Sequence, residues 1–329
     1  MPRRRLCLLV LSAAAALLAG CGGGDGASEA GNREATLVLD FLPGPVHAGV
    51  YRALERGYYE AEGIDLEIVE PSATADTLRL VESGRAQLGI GEGIDIATQV
   101  ADGRPVQAIL ALTQRPLGGL ITLESSGIRT PADLEGRTVG VTGVPSDDAV
   151  VKTIVAGGDG DPEKVRTVTI GFGGVQALLA GRVDAFTGFI PSDAVAVELE
   201  GRPTRSFAVD EYGGPRYPGL VVFSTQEMIG SEPELLRGFA RATVRGYEEV
   251  LADPAAGLRA LLAENPEIPR DFGRASLRAH LPLFAAGGGF GGFDYARIAG
   301  LSRFLLRAGL ISEPFPPRRF ATSRFLPAG

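Results

Sequence analysis

Residues 36–63, TLVLDFLPGPVHAGVYRALERGYYEAEG, constrain this chain more than any other stretch, because they read as a strand, a sharp loop and a helix. Leu37, Val38 and Leu39 form a short apolar run that Pro43, Gly44 and Pro45 break, so a strand ends near Asp40. From Ala48 onward Val50, Tyr51, Leu54 and Tyr58 share one helical stripe, while Arg52, Glu55 and Arg56 turn away from it. Gly57 is a weak point of that helix and Gly63 a C-cap. In an open α/β sheet the loop between a strand's carboxyl end and the next helix is where small ligands sit, because unpaired backbone N–H groups converge there. Here that loop carries Asp40, Phe41, His47 and Gly49.

The alternation continues. Ile64, Leu66 and Ile68 alternate with Asp65 and Glu67 as in a half-buried strand, a helix carries Leu78 and Val81, and Gln87–Gly91 is a short strand. A helix over 94–101 follows, and the apolar runs 106–112 and 117–123 are expected to complete a first sheet. A second unit starts after Thr130-Pro131, with strands at 138–142, 165–170 and 183–188 and helices at 149–156 and 175–180. The phrase Ser83-Gly84-Arg85-Ala86-Gln87 leading to Gly91 returns as Ala180-Gly181-Arg182-Val183-Asp184 leading to Gly188, which suggests two lobes on one plan. At 329 residues the chain exceeds what one core usually organises. The final third is helical over 232–263 and 271–310, interrupted at Pro254, Pro266, Pro282 and Gly287–Gly292, and these helices are expected to return to the first lobe.

The amino terminus carries an export signal. Arg3–Arg5 form a basic region, Leu6–Leu18 an apolar one too short to span a bilayer, and Leu18-Ala19-Gly20-Cys21 resembles the lipobox of bacterial lipoproteins. Residues 1–20 therefore read as a lipoprotein signal peptide and 21–34 as a flexible tether, with 35–124 the first lobe, 125–222 the second, 223–313 the return helices and 314–329 a surface tail. Cys7 falls in the signal and Cys21 is the expected lipidation site, which leaves no thiol in the exported body for disulfides, zinc or nucleophilic chemistry. Losing Arg3, Arg4 and Arg5 takes the formal charge from -8 to -11, and a net acidic body argues against nucleic acid or anionic membrane as partner.

Enzyme motifs are wanting. The chain has no G-x-S-x-G, H-E-x-x-H or P-loop, its two histidines, His47 and His280, lie far apart, and its only lysines, Lys152 and Lys164, read as solvated. Gly171-Phe172-Gly173-Gly174 lacks dinucleotide-binding spacing and reads as a turn or a close approach to a ligand. No cofactor and no metal are expected. The candidate ligand contacts are Asp40, Phe41, Pro43 and His47; Glu92; Thr113 and Gln114; Gly143, Ser146 and Asp147; Gly173 and Gly174; Phe189; and Tyr217. Asp95 and Phe172 fall at similar strand ends, and Arg115 is the nearest obvious cation. Carboxylates beside aromatic faces suit a planar, amino-bearing heterocycle, whereas sulfonate or nitrate would want several donors. The alternative for each acid is a cap or first-turn residue, as Asp147 could be, and for each aromatic a place in the core. His280 is expected to lie away from the cleft.

The segments Asp40-Phe41-Leu42-Pro43-Gly44, His47-Ala48-Gly49-Val50-Tyr51 and Gly57-Tyr58-Tyr59-Glu60-Ala61-Glu62-Gly63-Ile64-Asp65-Leu66 resemble the opening of the SsuA/THI5-like (NMT1) family. Leu134-Glu135-Gly136-Arg137-Thr138-Val139-Gly140-Val141 agrees, and Tyr212-Gly213-Gly214-Pro215-Arg216-Tyr217-Pro218 resembles the thiamine-pyrimidine branch. The resemblance spans roughly residues 35–265. It implies a type II periplasmic-binding-protein-like α/β fold, with two mostly parallel sheets flanked by helices. It also implies a monomeric substrate-binding protein of an ABC importer that delivers an aminopyrimidine thiamine precursor to a permease and its ATPase. A eukaryotic branch makes the pyrimidine itself, and other members bind sulfonate, nitrate or riboflavin. Phe41 stands where many pyrimidine-branch members have Trp, and Gly44 where they have Asn, so the stacking face is kept and an amide is lost.

Overall fold

The computed structural model describes residues 32–284 and 290–327, so Cys21 and the segment around it lie outside the described residues. Strand β1 (Arg33–Val38) leads through α1 (Ala48–Glu55) and α2 (Tyr58–Ala61) to β2 (Ile64–Val69). Then come α3 (Thr74–Glu82), β3 (Leu88–Glu92), α4 (Gly93–Ala101) and β4 (Val106–Ala111). After a crossover the chain forms β5 (Gly118–Leu123), β6 (Thr138–Val141), α5 (Ser146–Gly157), β7 (Arg166–Thr169), α6 (Gly174–Leu179) and β8 (Ala185–Phe189). A π-helical turn Ile190–Ala194, α7 (Val195–Leu199) and β9 (Thr204–Ala208) precede the return crossover to β10 (Leu220–Thr225). Helices α8 (Gln226–Ser231), α9 (Pro233–Ala252), α10 (Pro254–Glu264), α11 (Arg270–Phe284), α12 (Tyr295–Arg307) and α13 (Pro317–Phe320) complete the chain.

The two five-stranded sheets have orders β2-β1-β3-β10-β4 and β7-β6-β8-β5-β9. Each is mixed. In the first, β1 pairs in parallel with β2 and β3, while β10 pairs antiparallel with β3 and β4. In the second, β6 pairs in parallel with β7 and β8, while β5 pairs antiparallel with β8 and β9. Four strands of each sheet thus run one way, and the fifth, which runs against them, has just arrived from the other half. Two expectations change for this reason: Gly118–Leu123 belongs to the second sheet, and Leu220–Thr225 belongs to the first. Apolar runs cannot tell which sheet they will enter, since burial on both faces looks alike in either.

The repeated sequence phrase is a repeated structure. Gly84 and Gly181, at φ 70° and 66°, end α3 and α6 in the left-handed region that favours glycine. Gln87 N donates to Thr36 O while Gln87 Oε1 accepts from Thr36 N at 2.8 Å. Asp184 N donates to Thr138 O while Asp184 Oδ2 accepts from Thr138 N at 2.8 Å. The same two-bond clasp fixes β3 beside β1 and β8 beside β6.

The C-terminal helices pack mainly on the first sheet, with α9 and α10 against α1 and α12 against α4. Close crossing of α1 and α9 rests on two glycines: a Cβ on Gly49 would fall 2.2 Å from the Tyr247 ring, and one on Gly246 would fall 2.1 Å from Gly49 O. Pro282 lies inside the last turn of α11, Arg270–Phe284, rather than interrupting it, at the cost of one backbone bond to the preceding turn. Helix α11 also reaches the second half, packing on the turn Ile190–Ala194 and on α7, with Ser276 Oγ 3.4 Å from Ser192 Oγ. The segment after 314, expected as a surface tail, buries Phe315, Phe320 and Phe325, and Thr322 N donates to Ala108 O at the edge of β4. Three aromatics within a dozen residues hold it down, since each gains about 1.5–3 kcal/mol on burial.

Candidate functional site

The loop leaving β1 is built around its histidine. Gly44 N donates to His47 Nδ1 at 3.2 Å, so that nitrogen is an acceptor and Nε2 carries the hydrogen, donated to Asp40 Oδ1 at 2.8 Å. Both side chains are buried. Both nitrogens of His47 are thus engaged, and its effect is to orient Asp40.

At the end of β3, Gly93 N donates to Gly219 O at 2.7 Å, and a Cβ on Gly93 would fall 2.0 Å from Pro218 O. This close approach lays Tyr217-Pro218-Gly219 against the start of α4. Glu92 and Asp95 project from that corner. Burial, then Asp95, Asp40 and Asp147, push the Glu92 carboxyl well above its usual range. Asp95 is raised to about 6 by burial, with Asp147 adding to the rise and the neighbouring Ser146 hydroxyl opposing it. Tyr217 is almost wholly buried, and burial, with Glu92, Asp95 and Asp210 nearby, keeps its phenol protonated far above the usual range.

The second half faces this corner with Ser146 and Asp147, whose charge couples to Glu92 and Asp95. Asp147 is fully occupied. Its Oδ2 accepts from Thr142 Oγ1, Gly143 N and Val144 N at 3.0, 2.7 and 3.0 Å, and its Oδ1 accepts from Thr187 Oγ1 at 3.0 Å. Gly143, at φ 102°, supplies the left-handed turn that lets its N–H reach the carboxylate. At the rim the Phe172 ring meets Phe41 edge-on, with centroids 4.2 Å apart and planes at 69°. Gly174 is a packing residue, since a Cβ there would meet the Phe186 ring at 2.3 Å, and Gly173 N closes a turn on Ile170 O. After Phe189, Asp193 accepts from Phe189 N at 2.7 Å, and burial raises it to about 6.

The structure thus brings Asp40, Glu92, Ser146 and Asp147 together and sets Phe41 at the rim. Pro43 stands half-buried in the loop between Asp40 and His47. Thr113 and Gln114 belong to the crossover: Thr113 Oγ1 accepts from Leu220 N and donates to Arg115 O, and Gln114 Nε2 donates to Gly292 O. Arg115, on the same crossover, donates to Asp210 at 2.7 Å. Asp95 and Phe172 join the site although they were not among the chosen contacts, and Asp193 gave no sequence signal beyond following a strand.

His280 lies nearer to this loop than its place in a late helix suggests. It is buried on α11, which packs on the turn Pro45–His47, and its protonation is coupled to His47 and Asp40. Burial lowers it to about 4, and Nδ1 donates to Ser276 O at 2.8 Å. Sequence distance hid this, because α11 crosses both halves at the level of the strand-end turns. A depression of about 440 Å³ lined by Glu70, Asp76 and Arg79 lies elsewhere, beside α3. Among the described residues no group of His, Cys, Asp and Glu is arranged to hold a metal, and no helix is long and apolar enough to cross a membrane.

The family model described as NMT1/THI5 like matches residues 44–257. The formylaminopyrimidine-binding protein of Halalkalibacterium halodurans is 33% identical over 69% of this chain and 69% of its own. The 4-amino-5-hydroxymethyl-2-methylpyrimidine phosphate synthase of Legionella pneumophila is 28% identical over 89% of this chain and 92% of its own. Among solved structures, the alkanesulfonate-binding protein SsuA from Xanthomonas axonopodis pv. citri, bound to MOPS, superposes with a TM-score of 0.69. That match has 14% identity and covers 89% of this chain and 99% of the other. The fold is that of the periplasmic binding proteins.

Proposed function

Since the chain belongs to the NMT1/THI5-like family, we propose that it is an exported, substrate-binding component of an ABC importer, anchored by lipid at Cys21, that captures an aminopyrimidine thiamine precursor. The observation that carries this reading is the meeting of Asp40, Glu92 and Asp95 with Ser146 and Asp147 from the facing half, under the Phe41–Phe172 pair. The carboxylates of Glu92 and Asp95 stand where a planar ring with amino donors would be held against the second half. The formylaminopyrimidine for which the Halalkalibacterium relative is named is of that kind. Aromatic contact adds about 0.5–1.5 kcal/mol beyond burial, and a hydrogen bond to a charged group about 1.5–3 kcal/mol, enough with ring desolvation for affinity near micromolar.

Closure fits the connectivity. The crossovers lie side by side, tied by Gly219 N to Thr113 O, Leu112 N to Leu220 O and Arg115 to Asp210, so bending can concentrate there while each sheet stays rigid.

A synthase reading has support from the relatives named as synthases. A Schiff-base role would need a lysine at the site, and Lys152 and Lys164 are instead in surface ion pairs with Asp148, Glu163, Glu135 and Asp161. Transport is therefore the better fit.

A melting titration tests the ligand class. At a hundredfold excess over the dissociation constant the folded state gains about 2.7 kcal/mol, so 4-amino-5-hydroxymethyl-2-methylpyrimidine is expected to raise the melting temperature by a few degrees while taurine and nitrate do not. Phe41→Ala weakens the shift. A shift with a sulfonate and none with the aminopyrimidine refutes the assignment. For the anchor, Cys21→Ala moves the protein out of the lipidated membrane fraction, and an unlipidated wild-type N-terminus refutes it.

A further inference from the structure

Charge is segregated in this molecule. The whole chain carries a formal -8, yet from Arg297 to Arg324 it holds six arginines and one acid, Glu313. Arg303, Arg307, Arg318 and Arg319 are exposed, and among the described residues none of the four is paired with a carboxylate, whereas Arg297 pairs with Asp294 at 3.3 Å. The acids of the adjoining stretches, Asp102 after α4 and Glu313 before α13, are exposed too. Net acidity argues against an anionic membrane as partner only where the charges are mixed, and here they are not.

The fold gathers these arginines at one end of the first half. Helix α12 starts beside the crossover, where Arg297 Nη1 donates to Gln114 O at 3.2 Å, and it packs on α4. Its inward face of Ile298, Leu301, Phe304 and Leu305 is buried, which turns Arg303, Leu306 and Arg307 outward at i, i+3 and i+4. Ser302 Oγ accepts from Phe315 N at 2.9 Å, and Gln107 Nε2 donates to Arg318 O at 2.6 Å, so the last turns of α12 and the short α13 lie near the start of β4. The Arg318 guanidinium is 4.9 Å from the Tyr295 ring centre. Strand β10 is antiparallel to β3 and β4, and β1 is parallel to β3, so β4 runs the same way as β1. The start of β4 is therefore at the same end of the sheet as Arg33, the first residue of β1, and opposite to the strand ends that line the cleft.

We infer that this end of the first half is a docking surface for an anionic phospholipid bilayer. Arg303, Arg307 and Arg319 meet the headgroups, and Leu306, a large apolar side chain exposed beside them, enters the interface. The inference rests on the lipid-anchor reading above and adds the face that the anchored body presents. A planar guanidinium suits this occupant, because it pairs with phosphate through two parallel N–H bonds. Chain length suits it as well. Cys21 and Asn32 are eleven positions apart, a span of at most about 40 Å. Three strand spacings, roughly 14 Å, separate β1 from β4. A bilayer holding Cys21 is thus within reach of the patch, and the cleft faces away from it.

Sedimentation of the mature chain, residues 21–329 without lipid, tests the surface with phosphatidylcholine vesicles that contain or lack phosphatidylglycerol. Each arginine near an anionic surface is expected to strengthen binding about fivefold. The chain is expected to pellet with the anionic vesicles at low salt and to be released near about 0.5 M salt. Replacing Arg303→Glu, Arg307→Glu and Arg319→Glu together is expected to weaken binding at least about a hundredfold, with an unchanged circular dichroism spectrum and a cooperative melt showing that the variant folds. A second measurement covers the anchored state. Cys21 is the one thiol of the mature chain, so coupling it to a maleimide lipid stands in for the anchor whether or not the cell supplies one. Phenylglyoxal is then expected to modify Arg303, Arg307 and Arg319 more slowly on anionic than on neutral vesicles, while the exposed Arg259 and Arg270 of α10 and α11 react alike on both.

Measurable binding of equal strength to both vesicles, or a triple variant that binds as well as the wild type, overturns the inference. So does equal modification of the three arginines on the two kinds of coupled vesicle. Protection of the coupled chain without pelleting of the free one upholds the surface, with the tether supplying the local concentration. If the protein from cells is unlipidated while the mature chain binds anionic vesicles, the anchor reading fails and the surface stands. A lipidated protein whose arginines react alike on both vesicles keeps the anchor and removes the surface.

Discussion

The two sheets share one strand order, yet their strand-end carboxylates behave in opposite ways. On the second, Asp147 accepts four hydrogen bonds and ties Thr142, Gly143, Val144 and Thr187 into one corner. On the first, Glu92 and Asp95 face other acids across the cleft and have raised carboxyls. A carboxylate near a strand end is thus a brace after β6 and a group with a raised pKa after β3. What separates them is whether backbone N–H groups curl around the carboxylate, as the left-handed Gly143 permits.

The sharpest test of that contrast is Asp147→Ala against Glu92→Gln. Losing charge-assisted bonds to two backbone N–H groups and two hydroxyls is expected to cost about 3–4 kcal/mol in denaturant melts, whereas Glu92→Gln costs less than about 1 kcal/mol or stabilises. Equal losses would erase the distinction.

Next in size is a pH effect. The Asp95 carboxyl is raised from 3.8 to about 6, so over that window the folded state holds a proton that the unfolded chain has shed. Stability therefore falls as pH rises through the window. Asp95→Asn is expected to gain about 2 kcal/mol at pH 7.5 and nothing below pH 4. His280, lowered from 6.5 to about 4, acts with the opposite sign, whereas Glu92 and Asp193, also raised, act with that of Asp95, so the variant is expected to lose less stability than the wild type as pH rises from 4 to 7.5. A variant with the same pH dependence as the wild type would place the strain elsewhere.

Gly91 and Gly188, the penultimate residues of β3 and β8, give a steric version of the comparison. A Cβ on Gly91 would press the flexible end of Ile96 at 2.9 Å, while one on Gly188 would meet Asp193 Oδ2 at 2.6 Å and the Phe186 ring at 2.7 Å. Gly188→Ala is expected to cost about 1–3 kcal/mol and Gly91→Ala less, read as urea midpoints; the reverse order would show that the second corner yields more readily than the first. The smallest effect concerns what the halves share. Gln87→Ala and Asp184→Ala each remove one clasp and are expected to cost about 1 kcal/mol, and a neutral result for either would break the equivalence of the clasps.

Much of the fold was legible because local rules agree with tertiary context. The burial of Ile64 and Leu66 beside exposed Asp65 and Glu67 follows their alternation, and Gly84 and Gly181 end their helices where the repeated phrase places them. The site was legible in part. Asp40 and Glu92 follow from their place after strands, while Asp95 and Phe172 matter only because another segment faces them. Thr113 and Gln114 looked like strand-end contacts but serve the crossover, a role set by the arrival of β10 beside β4.

The sequence by itself determined the alternation of strands and helices, the doubled plan and the set of acids and aromatics available at strand ends, since these depend on periodicity and on neighbours a few residues away. Only the tertiary structure decided which sheet β5 and β10 would join, that α11 would carry His280 to the side of Asp40, and which carboxylates would be braced and which left facing one another. Those outcomes depend mainly on contacts between segments far apart in the chain, and no local pattern records the partner that a strand edge or a buried carboxylate will meet.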